Sequence, residues 1–326
     1  GVKTDSPVEF DYPDDTSANG QKNYTYKGTG GVPVGSLINK LVFALKYQEQ
    51  KLLLSSLINK DSKILFERNP RERVAKVAPW LTLDGDPYPA IIGGKVLWII
   101  DGYTTSAGYP YAKQISLSSA TNDALTANSS AVTAQRNQSV NYIRNSVKAT
   151  VDAYDGTVTL YQWDEKDPVL ATWSKAFPGT VTPKSKISKD LMSHIRYPED
   201  MFRVQREILS SYHVQTAAAF YGGQDFWRVP RDPSTFGANA GAQPPYYLTL
   251  QMPGDKKPEF ALTTPFVPRG GRENLSAFAV VNSDAGPNYG KIKVLQLPRS
   301  TNIAGPSQVA SNFEAKPEVA NSLSLL

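Results

Sequence analysis

Leu37, Leu41 and Leu45 recur at a spacing of four, with Ile38 and Val42 beside them, and Ser36 precedes the run as an N-cap candidate. That spacing puts the apolar positions on one side of a helix. A second helix is predicted over 50–58. Asn69-Pro70 opens a third, with Asn69 as cap and Pro70 at the first helical position. The period then changes from about four to two. Apolar residues at 90–92 and 95–100 flank Gly93-Gly94, a two-residue hairpin turn signal. Val147, Ala149, Val151 and Ala153 alternate with Lys148, Thr150, Asp152 and Tyr154. Asp155-Gly156 turns the chain, and Val158 and Leu160 resume the alternation.

Asp167-Pro168 predicts a short helix to Ala176, and Pro198-Glu199 a firmer one with Met201, Phe202, Ile208, Leu209 and Tyr212 on its buried side. Strands are predicted at 246–252, 259–266, 275–281 and 291–297, separated by Pro/Gly-rich loops at 229–245 and 298–308. Helices and hairpins interleave without a regular βαβ alternation, which predicts an α+β fold of mixed helices and antiparallel hairpins. The stretch 114–140 is rich in Ser, Thr, Ala and Asn and reads as a loop or linker, with a helix over 120–136 as the alternative. The organisation expected is an N-terminal α+β lobe at 1–113, that linker, a C-terminal α+β lobe at 141–297, and a tail at 298–326 leading to a further C-terminal portion.

Composition narrows the chemistry. The 326 residues include no Cys, which excludes disulfides, thiolate metal sites and thiol catalysis, and only two His, which excludes a His-rich metal site. The formal charge of +5 is a weak bias. Arg68, Arg71, Arg73 and Lys76 are interrupted by Glu67 and Glu72, so no basic run marks a nucleic-acid binder. Arg71 and Arg73 are the candidates for binding an anion. No apolar run approaches the ~18 residues of a membrane helix. The first fifteen residues hold no Met and no helix start, and read as the interior of a longer polypeptide.

No catalytic signature stands out. Gly28-Thr29-Gly30-Gly31 precedes a helix, but Pro33 breaks the dinucleotide fingerprint. His194 and His213 lack a Gly-x-Ser-x-Gly or Ser-x-x-Lys companion. Asp84 and Asp86 flank Gly85, and Asp101 follows an apolar strand; these three are the candidates for a cation site or an acid/base pair. A glycan-cleaving pair requires carboxylates ~5–9 Å apart, with Asp101 close to the other two and free of a buried ion pair. Among the abundant aromatics, Tyr88, Tyr103, Tyr109 and Trp227 are candidates for stacking on a ligand. The sequence assigns no cofactor.

Longer stretches carry a resemblance. Thr4-Asp5-Ser6-Pro7-Val8-Glu9-Phe10-Asp11-Tyr12-Pro13, Gly30-Gly31-Val32-Pro33-Val34-Gly35-Ser36, Trp98-Ile99-Ile100-Asp101-Gly102-Tyr103-Thr104-Thr105 and Tyr197-Pro198-Glu199-Asp200-Met201-Phe202 are among them. With these, the chain resembles the multi-pass membrane proteins of Uncharacterised Protein Family 0182, found mainly in actinobacteria. The resemblance implies an extracytoplasmic region of an integral membrane protein of the cell envelope, and brings no activity or catalytic residue. It implies partners among an envelope lipid or glycan, a membrane-protein partner, or the protein's own transmembrane helices. An enzyme acting on an envelope glycan or lipid through Asp84, Asp86 and Asp101, and a transport accessory, are the alternatives.

Overall fold

Two mainly antiparallel sheets and the helix between them organise the chain, whose computed structural model describes residues 9–235, 241–298 and 300–323. Parts of three expected segments therefore lie outside the described residues: the start of the N-terminal lobe (1–8), 236–240 of the loop at 229–245, and 299 and 324–326 of the tail. The α+β class holds: helices and small sheets alternate irregularly along the chain.

The first sheet centres on the long strands Lys95–Ser106 and Tyr142–Asp152, antiparallel from Tyr142↔Ser106 to Asp152↔Leu97. Val158–Gln162 extends it on one side, followed by Val181–Thr182, which pairs parallel. Tyr88–Ile92 and Thr82–Leu83 share the other side of Lys95–Ser106. Both predicted hairpins are present. Ile92 pairs with Lys95 across Gly93 and Gly94, whose φ of 57° and 77° lie in the left-handed region that glycine tolerates.

Strand alternation gives this sheet two unlike faces. Ile100, Val147, Ala149, Val151 and Leu160 pack with Val74 of helix Pro70–Val77 and Leu170 of helix Pro168–Ala176 into an aliphatic core. Asp101, Tyr103 and Lys148 belong to the opposite face and are also buried. That face meets helix Glu199–Tyr212 and the second sheet: Tyr103 packs with Met201, Phe202, Leu262 and Val281.

The second sheet is built on Glu259–Pro268, flanked on one side by Tyr246–Leu250 and Trp227–Arg228 and on the other by Ala277–Asn282 and then Ile292–Gln296. Residues 261–267 are continuously buried. Met252, Ala261 and Val280 cluster separately from Trp227, Phe266, Ala277 and Ala279.

Three expectations change. The stretch 114–140 does not divide the first sheet, because the strands before and after it pair along their length. It carries short helices, Leu117–Ala120 and Ala124–Asn128, and buries Leu117, Ala124 and Val140. In helix Glu199–Tyr212, Met201 and Phe202 are buried as expected, but Ile208 and Tyr212 are exposed. Their place inside is taken by Glu199, Asp200, Arg203 and Arg206. The second helix is one turn, Lys51–Leu54, rather than a segment reaching residue 58.

Candidate binding surface and buried charge network

Asp84, Asp86 and Asp101 converge on the junction between the sheets, where they join a network that the sequence did not disclose. Asp84 accepts hydrogen bonds from the Tyr103 hydroxyl, the Asp200 N–H (3.1 Å) and the Asp86 N–H (2.8 Å). Asp200 in turn accepts from the Gly85 N–H (2.9 Å) and from Gln135. The loop 84–86 and the start of helix Glu199–Tyr212 are thus tied reciprocally. A Cβ on Gly85 would overlap the Thr133 carbonyl oxygen, so the loop's close approach requires glycine there.

Arg203 lies at the network's centre with no solvent exposure. Its guanidinium reaches Asp123 (2.6 Å), Asp200 (3.0 Å) and Glu199 (3.0 Å), and Asp123 also pairs with Arg206 (3.1 Å). Asp86 pairs with Arg196 (2.7 Å), whose guanidinium lies over the rings of Tyr88 (3.9 Å) and Tyr247 (4.6 Å). Lys148 donates to Asp101, to the Arg196 carbonyl (3.1 Å) and to the Tyr289 hydroxyl (3.0 Å), so all three ammonium donors have acceptors.

Six carboxyl groups (Asp84, Asp86, Asp101, Asp123, Glu199, Asp200) therefore face four cations (Lys148, Arg196, Arg203, Arg206). The excess of acid makes it easier to protonate several of these carboxyls. Burial pushes the Glu199 carboxyl up to about 8, against the pull of Arg203. Burial, reinforced by the Asp84 carboxylate, pushes Asp200 up to about 7. Burial also raises Asp86, against the pull of Arg196. In the Asp101–Lys148 pair, burial raises the acid and lowers the base, while their attraction opposes both changes. Among the described residues, no group of three or more His, Asp or Glu is arranged to hold a metal ion.

This geometry removes the support for the acid/base reading. Asp101 is buried and engaged by Lys148 and Asn145 (2.6 Å), the condition under which a glycan-cleaving role fails. Asp84 is held by three donors. Tyr103 is buried, and Tyr88 is covered by the Arg196 guanidinium, so neither offers a free ring face. Trp227 is buried between His213 (centroids 3.4 Å apart, planes at 13°) and Phe266 (5.3 Å). Of the four stacking candidates only Tyr109 is exposed, and it stacks on Tyr142 (5.9 Å).

Both anion-site candidates are turned inward. Arg71 donates to the carbonyls of Asp84 (3.0 Å) and Leu83 (3.2 Å), and Arg73 to those of Gly156, Phe66 (3.4 Å) and Glu67 (3.3 Å). The two histidines also face backbone. His194 Nδ1 lies 2.8 Å from the Asp190 carbonyl, and both ring nitrogens of His213 meet carbonyls, of Leu209 (2.8 Å) and Asp225 (2.9 Å).

Open clefts occur elsewhere among the described residues. One, of about 490 Å³, lies beside the His213–Trp227 stack and is bordered by Arg272, Asn274, Gln296 and Thr301. Another, of about 520 Å³, lies between Phe66, Arg73, Trp98 and Tyr154.

The most unusual surface is elsewhere. The two-residue ladder Val32–Pro33 with Lys63–Ile64 closes an arm formed by residues 34–62. Its helix Leu37–Tyr47 begins at Ser36, whose side chain accepts from the Asn39 N–H as predicted. The helix is amphipathic in the wrong direction for a free globular surface. Only Phe43 and Ala44 are buried, Phe43 against Phe66 (5.6 Å). Leu37, Ile38, Leu41, Val42 and Leu45 occupy an arc of about 140° at 100° per residue, and all five face solvent. Leu54 adds a further side chain that is 83% exposed. The spacing of four identified this helix; which way its apolar side faces was beyond what a periodicity reports.

Comparison with known proteins agrees with the resemblance seen in the sequence. The model of the uncharacterised protein family UPF0182 matches residues 2–326. A UPF0182 protein of Thermobifida fusca is 56% identical over 300 residues, covering 92% of this chain and 29% of the relative. One from Streptomyces coelicolor is 54% identical over 321 residues (98% and 31%), and one from Bifidobacterium longum is 49% identical over 330 residues (98% and 31%). The chain thus spans less than a third of the length of these curated relatives. No solved structure matches. With a family match along 2–326 and half or more of the aligned residues shared with two of these actinobacterial relatives, the chain belongs to the uncharacterised protein family UPF0182.

Proposed function

We propose that this chain is the extracytoplasmic binding region of a longer membrane-embedded protein of the actinobacterial cell envelope, and that it docks rather than catalyses. The observation that carries the reading is the outward-facing apolar side of the 34–62 arm. Globular surfaces seldom leave so continuous an apolar patch uncovered unless something else covers it. Two further facts support it. The carboxylates that an enzyme would need are engaged inside the charge network. The relatives are about three times longer than this chain, which leaves ample polypeptide for membrane-spanning segments. No helix among the described residues is itself long and apolar enough to cross a membrane.

The absence of Cys makes a direct test available. A single cysteine is placed at Tyr111, a fully exposed position, in the full-length protein, in a background whose other cysteines are replaced. Intact actinobacterial cells are then treated with a membrane-impermeant maleimide. Labelling in intact cells, with the protein in the membrane fraction, is the expected result. Labelling only after lysis, or a full-length protein that is not in the membrane fraction, overturns the reading.

A further inference from the structure

We infer that the 34–62 arm is a lipid-docking element that lays the side of helix Leu37–Tyr47 bearing Leu37, Ile38, Leu41, Val42 and Leu45 into the headgroup boundary of an anionic bilayer. The inference rests on the proposed membrane setting and names the partner of the same surface.

Four features of the arm favour lipid over protein. First, the outward side is aliphatic. It lacks the Trp, Tyr and Arg anchors around which protein interfaces concentrate their binding energy, since Tyr47 lies on the other side of the helix, stacked on Phe43 (6.2 Å). Second, its backbone is helical, so the N–H and C=O groups of its middle turns are already paired and can enter an apolar medium. Third, the charge is complementary to anionic headgroups. The arm carries four lysines (Lys40, Lys46, Lys51, Lys60) against two carboxylates (Glu49, Asp61). Lys51 and Lys60 are exposed, as is Glu49, whose carboxylate accepts from the Lys51 N–H (3.1 Å). An apolar helix side in a segment with an excess of lysine is the composition of helices that lie in the membrane interface. Fourth, the arm is internally braced, so its apolar side is presented rather than collapsed inward. Lys40 donates to the Ile58 carbonyl (2.8 Å), Asn39 to the Pro33 carbonyl (2.8 Å), and the Val34 N–H to the Ser62 carbonyl (2.9 Å). Leu54 in the second helix is a further exposed apolar side chain of the same arm.

The test uses the 326-residue chain and two sets of vesicles, phosphatidylcholine alone and a mixture of phosphatidylglycerol with phosphatidylcholine. Co-sedimentation is expected with the anionic vesicles and is expected to weaken as salt is raised. L41E/L45E alters two exposed leucines and is expected to keep the far-UV circular dichroism and melting temperature while binding at least tenfold more weakly. K51E/K60E leaves the apolar side intact and is expected to remove the preference for phosphatidylglycerol. Absence of binding to either vesicle overturns the inference, as does equal binding by the wild type and L41E/L45E. So does a dimer in sedimentation velocity that L41E/L45E dissociates without any vesicle binding, since the covering partner is then a second copy. The vesicle result does not depend on which side of the membrane the chain occupies. A negative vesicle result with positive cell-surface labelling therefore removes only the lipid contact, and the converse removes only the topology.

Discussion

At the scale of single residues, a few side chains hold the junction between the sheets, and their removal has different consequences. Among the described residues Lys148 is the cation paired with Asp101, and both are buried. Lys148→Met leaves a buried carboxyl without its cation, with Asn145 as its remaining side-chain donor among the described residues, and takes a donor from the Arg196 carbonyl and the Tyr289 hydroxyl. A loss of about 3–5 kcal/mol is expected in urea denaturation, as for other broken buried ion pairs. The double variant Lys148→Met/Asp101→Asn removes the stranded charge and is expected to recover part of that loss; equal destabilisation of the single and double variants contradicts this account. Gly85→Ala is expected to be at least as harmful as a lost hydrogen bond. Its Cβ would overlap a backbone carbonyl, which no rotamer change relieves. Asp84, Asp86 and Asp101 stand out in the sequence because of their turn and strand-end positions. Their partners do not: Arg196, Asp200 and Lys148 are distant along the chain and come together only through folding.

Among the secondary-structure elements, the capped helices are the most predictable part. Asp167 illustrates how a local rule gains tertiary weight. Its carboxylate caps helix Pro168–Ala176 through the N–H groups of Val169 (3.0 Å) and Leu170 (3.1 Å), which the Asp-Pro pair predicts. It also accepts from the hydroxyls of Thr104, Ser146 and Tyr142, each at 2.6 Å, which nothing local predicts. Burial acts to raise its carboxyl, but the hydrogen bonds from Ser146, Thr104 and Tyr142 outweigh it and hold the group below the ordinary carboxylate range. Asp167→Ala is expected to cost about 3 kcal/mol or more, because a cap alone is worth about 1 and the stranded hydroxyls add to it. Asn69→Ala, which removes a cap at a less buried site, is expected to stay near 1 kcal/mol in the same denaturation measurement. A similar loss in both variants contradicts the tertiary share assigned to Asp167.

The whole molecule responds to pH through the charge network. Glu199 and Asp200 have folded-state values raised to about 8 and about 7, against ordinary values of 4.5 and 3.8. The folded state therefore binds more protons than the unfolded state across that window. Their contribution is fully present below about pH 4 and declines as pH rises through about 7 to 8. Groups held low, such as Asp167 and Asp152, act oppositely and lose their contribution only as pH falls below the ordinary carboxylate range. A higher melting temperature at pH 5.5 than at pH 8.5 is expected, with a difference on the order of a few kcal/mol in stability. Glu199→Gln, an isostere of the protonated acid, is expected to flatten the dependence and to gain relative to wild type at the higher pH. A wild-type melting temperature that rises between pH 5.5 and 8.5 overturns the assignment.

What the sequence determined by itself was local and periodic. Ser36, Asn69 and Asp167 mark helix starts, Gly93-Gly94 turns a hairpin, and the alternation in 147–160 forms its strands, because caps, turns and pleats depend on residues a few positions apart. The long matched stretches also carried family membership. Tertiary structure alone decided which faces are covered. Lys148, on the polar side of a clean alternation, is buried because helix Glu199–Tyr212 and the second sheet close over that side. Leu37, Leu41 and Leu45, on the apolar side of a clean helix, stay in solvent because no element among the described residues packs there. A period fixes how a residue is placed relative to its neighbours, whereas burial depends on what arrives from elsewhere in the chain, or from outside it.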